Sequence, residues 1–226
     1  MTTPIDPTKV APTPVCILSY PWLFTAQPAQ EAGKVDKYSG TFIFFPPGAD
    51  LSRYDDATAK ALANADLSKL VAAAAAAARA KWGDKAEDMM RRGQLKSPFR
   101  KEGDSYGTVM AEKGYPEGVV FINARANQQP QVVSRFPAPG GSSDKPAVIT
   151  DPTQIYPGCL VRASFRAFGY DTSGNRGISF ALNNVQKWAD GPRMDGRKRA
   201  EDEFEADLST SPEGLDDILG GGGFGV

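Results

Sequence analysis

A mainly β chain with one long helix, folded as a small five-stranded barrel with long loops, is the class this sequence predicts. Three observations carry that reading. Five runs rich in aromatic and β-branched residues are each closed by Gly, Pro, Asn or Asp turn signals. A single alanine-rich stretch has helical spacing. The intervals between these segments are long and rich in Gly and Pro. With 226 residues and 41% hydrophobic composition, the chain has ample material for one core with appendages.

Residues 1–14, with Pro at 4, 7, 12 and 14, read as a flexible N-terminal arm. The first strand is expected at 15–24, where Pro21 marks an edge, a bulge or an end. The second is expected at 37–45, where Pro46-Pro47-Gly48 stops it. The long helix is expected over 55–82. Thirteen alanines lie between Ala57 and Ala80, and Ala is the best helix former. Gly83 is its natural C-terminal cap. A polar loop follows to Gly118, with a short helix near 87–92. The third strand is expected at 119–127 and a loop at 128–149. The fourth strand (158–170) and fifth (176–185) flank the hairpin turn Asp171-Thr172-Ser173-Gly174-Asn175. Five strands with one helix fit a small, partly open barrel, the OB-fold among them.

Composition excludes much enzyme chemistry. There is no histidine, so Ser-His-Asp and Cys-His catalysis and His-ligated metals fall away. The two cysteines, Cys16 and Cys159, sit in apolar runs and read as buried, reduced thiols. Asp84, Glu87 and Asp88 could ligate Mg²⁺ in a nucleic-acid-processing enzyme. Their helical spacing among Lys85, Arg91 and Arg92 favours salt bridging instead. No phosphate-binding or dinucleotide motif is present. No cofactor and no metal are expected. With a polar N-terminus and no long apolar run, no membrane partner is expected.

The net charge of −1 hides an asymmetry. Residues 201–226 carry eight acids and no base, so residues 1–200 carry +7. A basic body suits a polyanion. The segment 201–226 reads as a disordered acidic, Gly-rich tail, in which Asp216, Asp217 and Phe224 are candidate partner contacts. The bland alternative is that the tail only solvates.

Strand alternation sorts the faces. In the fourth strand Val161, Ala163, Phe165 and Ala167 form a core face, and Arg162, Ser164, Arg166, Phe168 and Tyr170 the other. In the third, Phe121, Asn123 and Arg125 lie opposite the core. Cations interleaved with aromatics suit single-stranded nucleic acid, because phosphates meet the cations and bases stack on the rings. The candidate site is therefore Arg100, Lys101, Phe121, Arg125, Arg162, Arg166, Phe168, Tyr170, Arg176 and Lys187, with Phe99 and Trp188 as further stacking candidates. The competing reading puts Phe121, Phe168 and Tyr170 in a second core beneath a helix or loop.

Several blocks carry a resemblance across roughly 15–205. They are Tyr156-Pro157-Gly158-Cys159 through Arg162, Gly174-Asn175-Arg176-Gly177-Ile178 and, most specifically, Leu182-Asn183-Asn184-Val185-Gln186-Lys187. Gly196-Arg197 and Ala200-Glu201-Asp202-Glu203-Phe204 follow. Weaker matches are Lys37-Tyr38-Ser39, Trp82-Gly83, Pro98-Phe99-Arg100, and Phe121-Ile122-Asn123-Ala124 before Pro130. In these the chain resembles a family of bacteriophage single-stranded DNA-binding proteins with an OB-fold, formerly uncharacterised. The resemblance implies sequence-nonspecific ssDNA binding in phage DNA replication, recombination or repair, without catalysis, in the cytoplasm of the infected bacterial host. It also implies a tail that contacts replication or recombination proteins. This tail departs from the pattern, because Gly225-Val226 follows Phe224. The expected domains are the arm 1–14, an ssDNA-binding OB-fold 15–200 and the tail 201–226, with a homodimer left open. The rival is a virion structural or assembly protein with a β-barrel core and no ssDNA affinity.

Overall fold

The five expected strands close on themselves. The computed structural model describes residues 6–29, 33–52, 54–63, 65–101, 118–142, 144–172 and 174–195. In chain order its strands are β1 (Lys9–Val10), β2 (Cys16–Gln27), β3 (Lys37–Phe44), β4 (Arg100–Lys101), β5 (Val120–Ala126), β6 (Gln131–Pro137), β7 (Pro146–Val148), β8 (Leu160–Thr172) and β9 (Asn175–Ala189). Its helices are α1 (Asp56–Leu62), α2 (Ser68–Trp82) and α3 (Lys85–Arg91). β2 pairs with β3, β3 with β5, β5 with β9, β9 with β8, and β8 with β2 again. That ring is a closed barrel of OB-fold type. Closure removes the exposed edges that five open strands would leave.

The barrel interior is filled by the inward face of each strand. Leu18, Phe42, Ile122, Phe165 and Phe180 are all at most 1% exposed. Phe165 packs against Phe42 with centroids 4.9 Å apart and against Phe180 at 5.6 Å. α2 adds Leu70, Ala73, Ala74, Ala77 and Ala78 to this core. Its alanine face allows a close approach. A Cβ on Gly169 of β8 would lie 2.8 Å from Lys81 Cβ and 2.9 Å from Trp82 Cζ3. Gly83 caps α2 at φ 57°, as expected, donating to Arg79 O over 2.8 Å. Both cysteines are buried and free, and burial pushes both thiols up, away from thiolate chemistry.

The alanine-rich stretch is not one helix. Ala63 leaves α1 in an extended conformation (ψ 141°), and Ala65 N–H donates to Phe45 O over 3.0 Å. Asp66 then accepts from Ser68 N–H at the start of α2. The physical reason is that the two helices serve different apolar clusters. Leu62 of α1 packs on the outside of the barrel, and Leu70 of α2 packs with the barrel interior. Two burials outweigh the small per-residue gain of continuous helix. The short helix near 87–92 is present as α3, where Asp88 bridges Arg91 (3.1 Å) and Arg92 (2.8 Å).

Two other segments differ from expectation. The loop at 128–149 contains β6 and β7. β5 and β6 run in succession along the same edge of β9, both parallel to it, and β7 folds back on β6. The described part of the N-terminal arm is held along β8. β1 pairs there, Thr13 N–H donates to Ala163 O (2.9 Å), and Ala163 N–H donates to Thr13 Oγ1 (3.0 Å).

Candidate nucleic-acid interface

The outer surface of the barrel is organised in registered rows. One row passes through Leu160, Ile17, Ile43, Phe121 and Arg100 on β8, β2, β3, β5 and β4. Its four apolar members are at most 2% exposed, because α1 and the chain before it roof them with Phe45, Tyr54 and Leu62. This corrects the expectation for Phe121. Alternation places the ring outside the barrel, but α1 covers it, so it packs in a second core and is closed to a base.

The next row is polar: Ser19, Thr41 and Asn123. Thr41 Oγ1 donates to Asn123 Oδ1 over 2.7 Å. Between Ser19 and Trp22 the β2–β3 register slips, and Tyr20 takes φ 48°. The bulge leaves Tyr20 54% and Trp22 37% exposed. A non-glycine residue rarely adopts this region.

The third row is the candidate site. Trp22 registers to Ser39, Ser39 to Arg125, Arg125 to Ala181, Ala181 to Arg166, and Arg166 to Lys9. It crosses β2, β3, β5, β9, β8 and β1, with Trp22, Arg125, Arg166 and Lys9 exposed. Beside it Phe168, 44% exposed, registers to Ser179. Among the described residues Arg125 has no ion-pair partner, whereas Arg166 Nε lies 3.9 Å from Asp6. Hydrogen bonds from the Thr8 hydroxyl and amide hold Asp6 below the ordinary carboxylate value, with Arg166 adding to the effect.

The chain matches the family model described as Enterobacter phage Enc34, ssDNA-binding protein, over residues 8–215. It belongs to the Enc34 phage ssDNA-binding protein family. It is 30% identical over 136 residues to protein p50 of Acyrthosiphon pisum secondary endosymbiont phage 1, covering 59% of this chain and 66% of that one. The chain thus spans just under two thirds of that curated relative. Among solved structures it is similar to the bacteriophage Enc34 single-stranded DNA-binding protein in complex with ssDNA. That match has TM-score 0.47 and 20% identity, covering 82% of this chain and 87% of the other. It is also similar to gp2.5, a single-stranded DNA-binding protein encoded by bacteriophage T7, with TM-score 0.48 and 11% identity. There 84% of this chain and 97% of the other are covered.

For this member of the Enc34 family, the other expected site residues divide by environment. Arg100 and Lys101 sit opposite Phe121 and Val120, at the margin of the roofed row. Tyr170 is half-buried opposite Gly177. Arg176 lies 3.8 Å from Asp171 across the β8–β9 turn. Lys187 is 17% exposed, 2.8 Å from Asp190, and its Nζ lies 5.8 Å from the Tyr156 ring. Its charge is matched locally rather than presented to a ligand. Phe99 joins the barrel core against Phe180 at 5.9 Å. Arg162 donates through Nε to Thr13 O (3.1 Å), with its guanidinium 5.3 Å from the Trp188 ring centroid. Asp216, Asp217 and Phe224 lie outside the described residues. Among the described residues no three Asp, Glu or Cys side chains cluster as metal ligands, and no helix is long and apolar enough to cross a membrane.

Sequence reasoning missed the exposed aromatics Tyr20 and Trp22, although Pro21 between them signals the bulge that exposes them. It also missed β6, where the Gly and Pro of the neighbouring turn mask a short strand.

Proposed function

We propose that this protein binds single-stranded DNA without sequence preference, protecting and organising it during phage DNA replication, recombination or repair inside the infected host. It acts as a binding protein and not as an enzyme. The observation that carries the reading is the exposed row Trp22–Ser39–Arg125–Ala181–Arg166–Lys9 on a closed five-stranded barrel. The second and third barrel strands, here β3 and β5, are the face OB-folds use for oligonucleotides. Cations at intervals along the row meet phosphates, and Trp22 and Phe168 offer faces to bases that a duplex keeps stacked. Membership of a family described as ssDNA-binding supports the same conclusion.

The acidic segment 201–226 is poorly suited to DNA, since its eight acids repel phosphates. We assign Asp216, Asp217 and Phe224 to contacts with replication or recombination proteins. Truncation after Arg199 should then abolish such contacts while leaving ssDNA binding.

Fluorescence anisotropy with a labelled mixed-sequence strand of about 30 nucleotides, longer than one OB-fold footprint, tests the main reading against the matching duplex across a salt series. Strong ssDNA preference with a negative salt slope is expected. Equal, weak binding to both reduces the site to general charge attraction. No binding at low salt overturns the proposal.

A further inference from the structure

A second cation–aromatic array lies away from the row, where β9 runs past the barrel between β8 and β6. The registers Arg162–Gln186 and Val133–Gln186 bring β8, β9 and β6 side by side. Two residues further along β9 and β6, Trp188 and Arg135 meet. The Arg162 guanidinium lies 5.3 Å from the Trp188 ring centroid, and Arg135 lies 5.1 Å from the same ring. Arg135 also lies 4.5 Å from the Phe136 ring. The order is Arg162, Trp188, Arg135, Phe136, with cation and ring alternating. Phe136, at its end, is 59% exposed.

Two features separate this ladder from an ordinary surface cluster. Among the described residues neither Arg135 nor Arg162 has a carboxylate partner, although Arg166, Arg176 and Lys187 each do. The array therefore keeps its positive charge. Its terminal member is an aromatic ring in water, although a ring of that size gains by burial. A nucleobase satisfies both, because it adds a π-face to Phe136 and brings a phosphate within reach of Arg135.

We propose that Arg135 and Phe136, backed by Trp188 and Arg162, form a second ssDNA contact on the β6–β9 extension. It would engage the same strand after that strand leaves the Trp22–Arg125–Arg166 row. This inference rests on the ssDNA-binding reading. Trp188 lies seven residues beyond Ala181 on β9, about 23 Å along the strand at ~3.3 Å per residue. A short oligonucleotide fills the row alone, and only a longer one reaches the ladder.

The test compares full-length wild type with Phe136→Ala and Arg135→Lys. Anisotropy is read on oligothymidylates of about 6 and about 20 nucleotides, one near the short end of OB-fold footprints and one beyond their long end. Phe136 is exposed, so thermal melts of its variant should match wild type. Phe136→Ala is expected to weaken binding of the long strand about tenfold and leave the short strand unchanged. Arg135→Lys keeps the charge but loses the planar stack. It should weaken the long strand severalfold while preserving the salt slope. Unchanged long-strand affinity in both variants overturns the ladder contact, and so does equal loss on both lengths. If wild type itself binds neither strand, the ssDNA reading fails and the contact falls with it.

Discussion

Arg125 on β5 and Arg166 on β8 register to the same residue, Ala181 on β9, one from each side. With neighbouring strands about 4.8 Å apart, their Cα atoms are held roughly 10 Å from each other by the sheet itself. Two guanidinium groups thus stand on adjacent-but-one strands over a small residue that leaves the surface between them open. If both contact phosphates, Arg125→Ala and Arg166→Ala should each weaken ssDNA binding for every sequence. Each should flatten the slope of log affinity against log salt by about 0.7. At this separation the two losses should add in the double variant. An unchanged slope for either variant removes that arginine from the site.

If Arg166 contacts a phosphate, Asp6 competes for the same guanidinium. Its carboxylate lies 3.9 Å from the guanidinium and is held ionised by Thr8. Asp6→Asn should therefore tighten ssDNA binding modestly and steepen the salt slope, and an Arg166→Ala background should abolish that gain. A gain that persists without Arg166 would mean that Asp6 acts through the general field alone.

Trp22 is the aromatic member of the row. Trp22→Ala should cost about 1–3 kcal/mol of ssDNA affinity, the range for one lost base stack, with the salt slope intact. Trp22→Phe should recover most of it. Titration should also quench tryptophan fluorescence in wild type. A salt-slope change without an affinity change would show that the indole is not stacking.

The barrel was legible because its strands alternate cleanly. Val161, Ala163, Phe165 and Ala167 point inward as the period of two requires. The site was legible only in part, for two reasons. Alternation reports which side of a strand a residue occupies, and says nothing of what covers that side. Phe121 is outward and still buried, because α1 folds over it. A bulge beside Pro21 also breaks the period, so Trp22 emerges on the surface where strict alternation does not place it. Arg125 and Arg166 stand exposed where alternation puts them, because a charge resists burial.

The roof over Phe121 has an energetic consequence. Its ring is 2% exposed and packs with Ile17, Ile43 and Leu160. Phe121→Ala should cost about 3–5 kcal/mol of stability, read as a lower midpoint in urea. The fraction that remains folded should bind ssDNA as wild type does. Lost affinity at full stability would instead return Phe121 to the DNA contact.

Acid should destabilise the fold through carboxylates that act as local caps. Asp55 accepts from the Thr58 hydroxyl (2.7 Å) and amide (2.9 Å) at the start of α1, and Asp151 accepts from Thr153 in the same way. With Asp6, these groups sit below the ordinary value of 3.8 because the threonine hydroxyl bonds, then the amide bonds, favour the charged form. The unfolded chain therefore takes up protons first as pH falls. Stability is fully present above 3.8 and is lost as pH drops through the lower folded values. Melting temperature should hold between pH 7 and pH 5 and fall towards pH 3. Asp55→Asn keeps a side-chain acceptor for the cap but cannot titrate, so its acid decline should be shallower than that of wild type. A decline parallel to wild type would locate the acid sensitivity elsewhere.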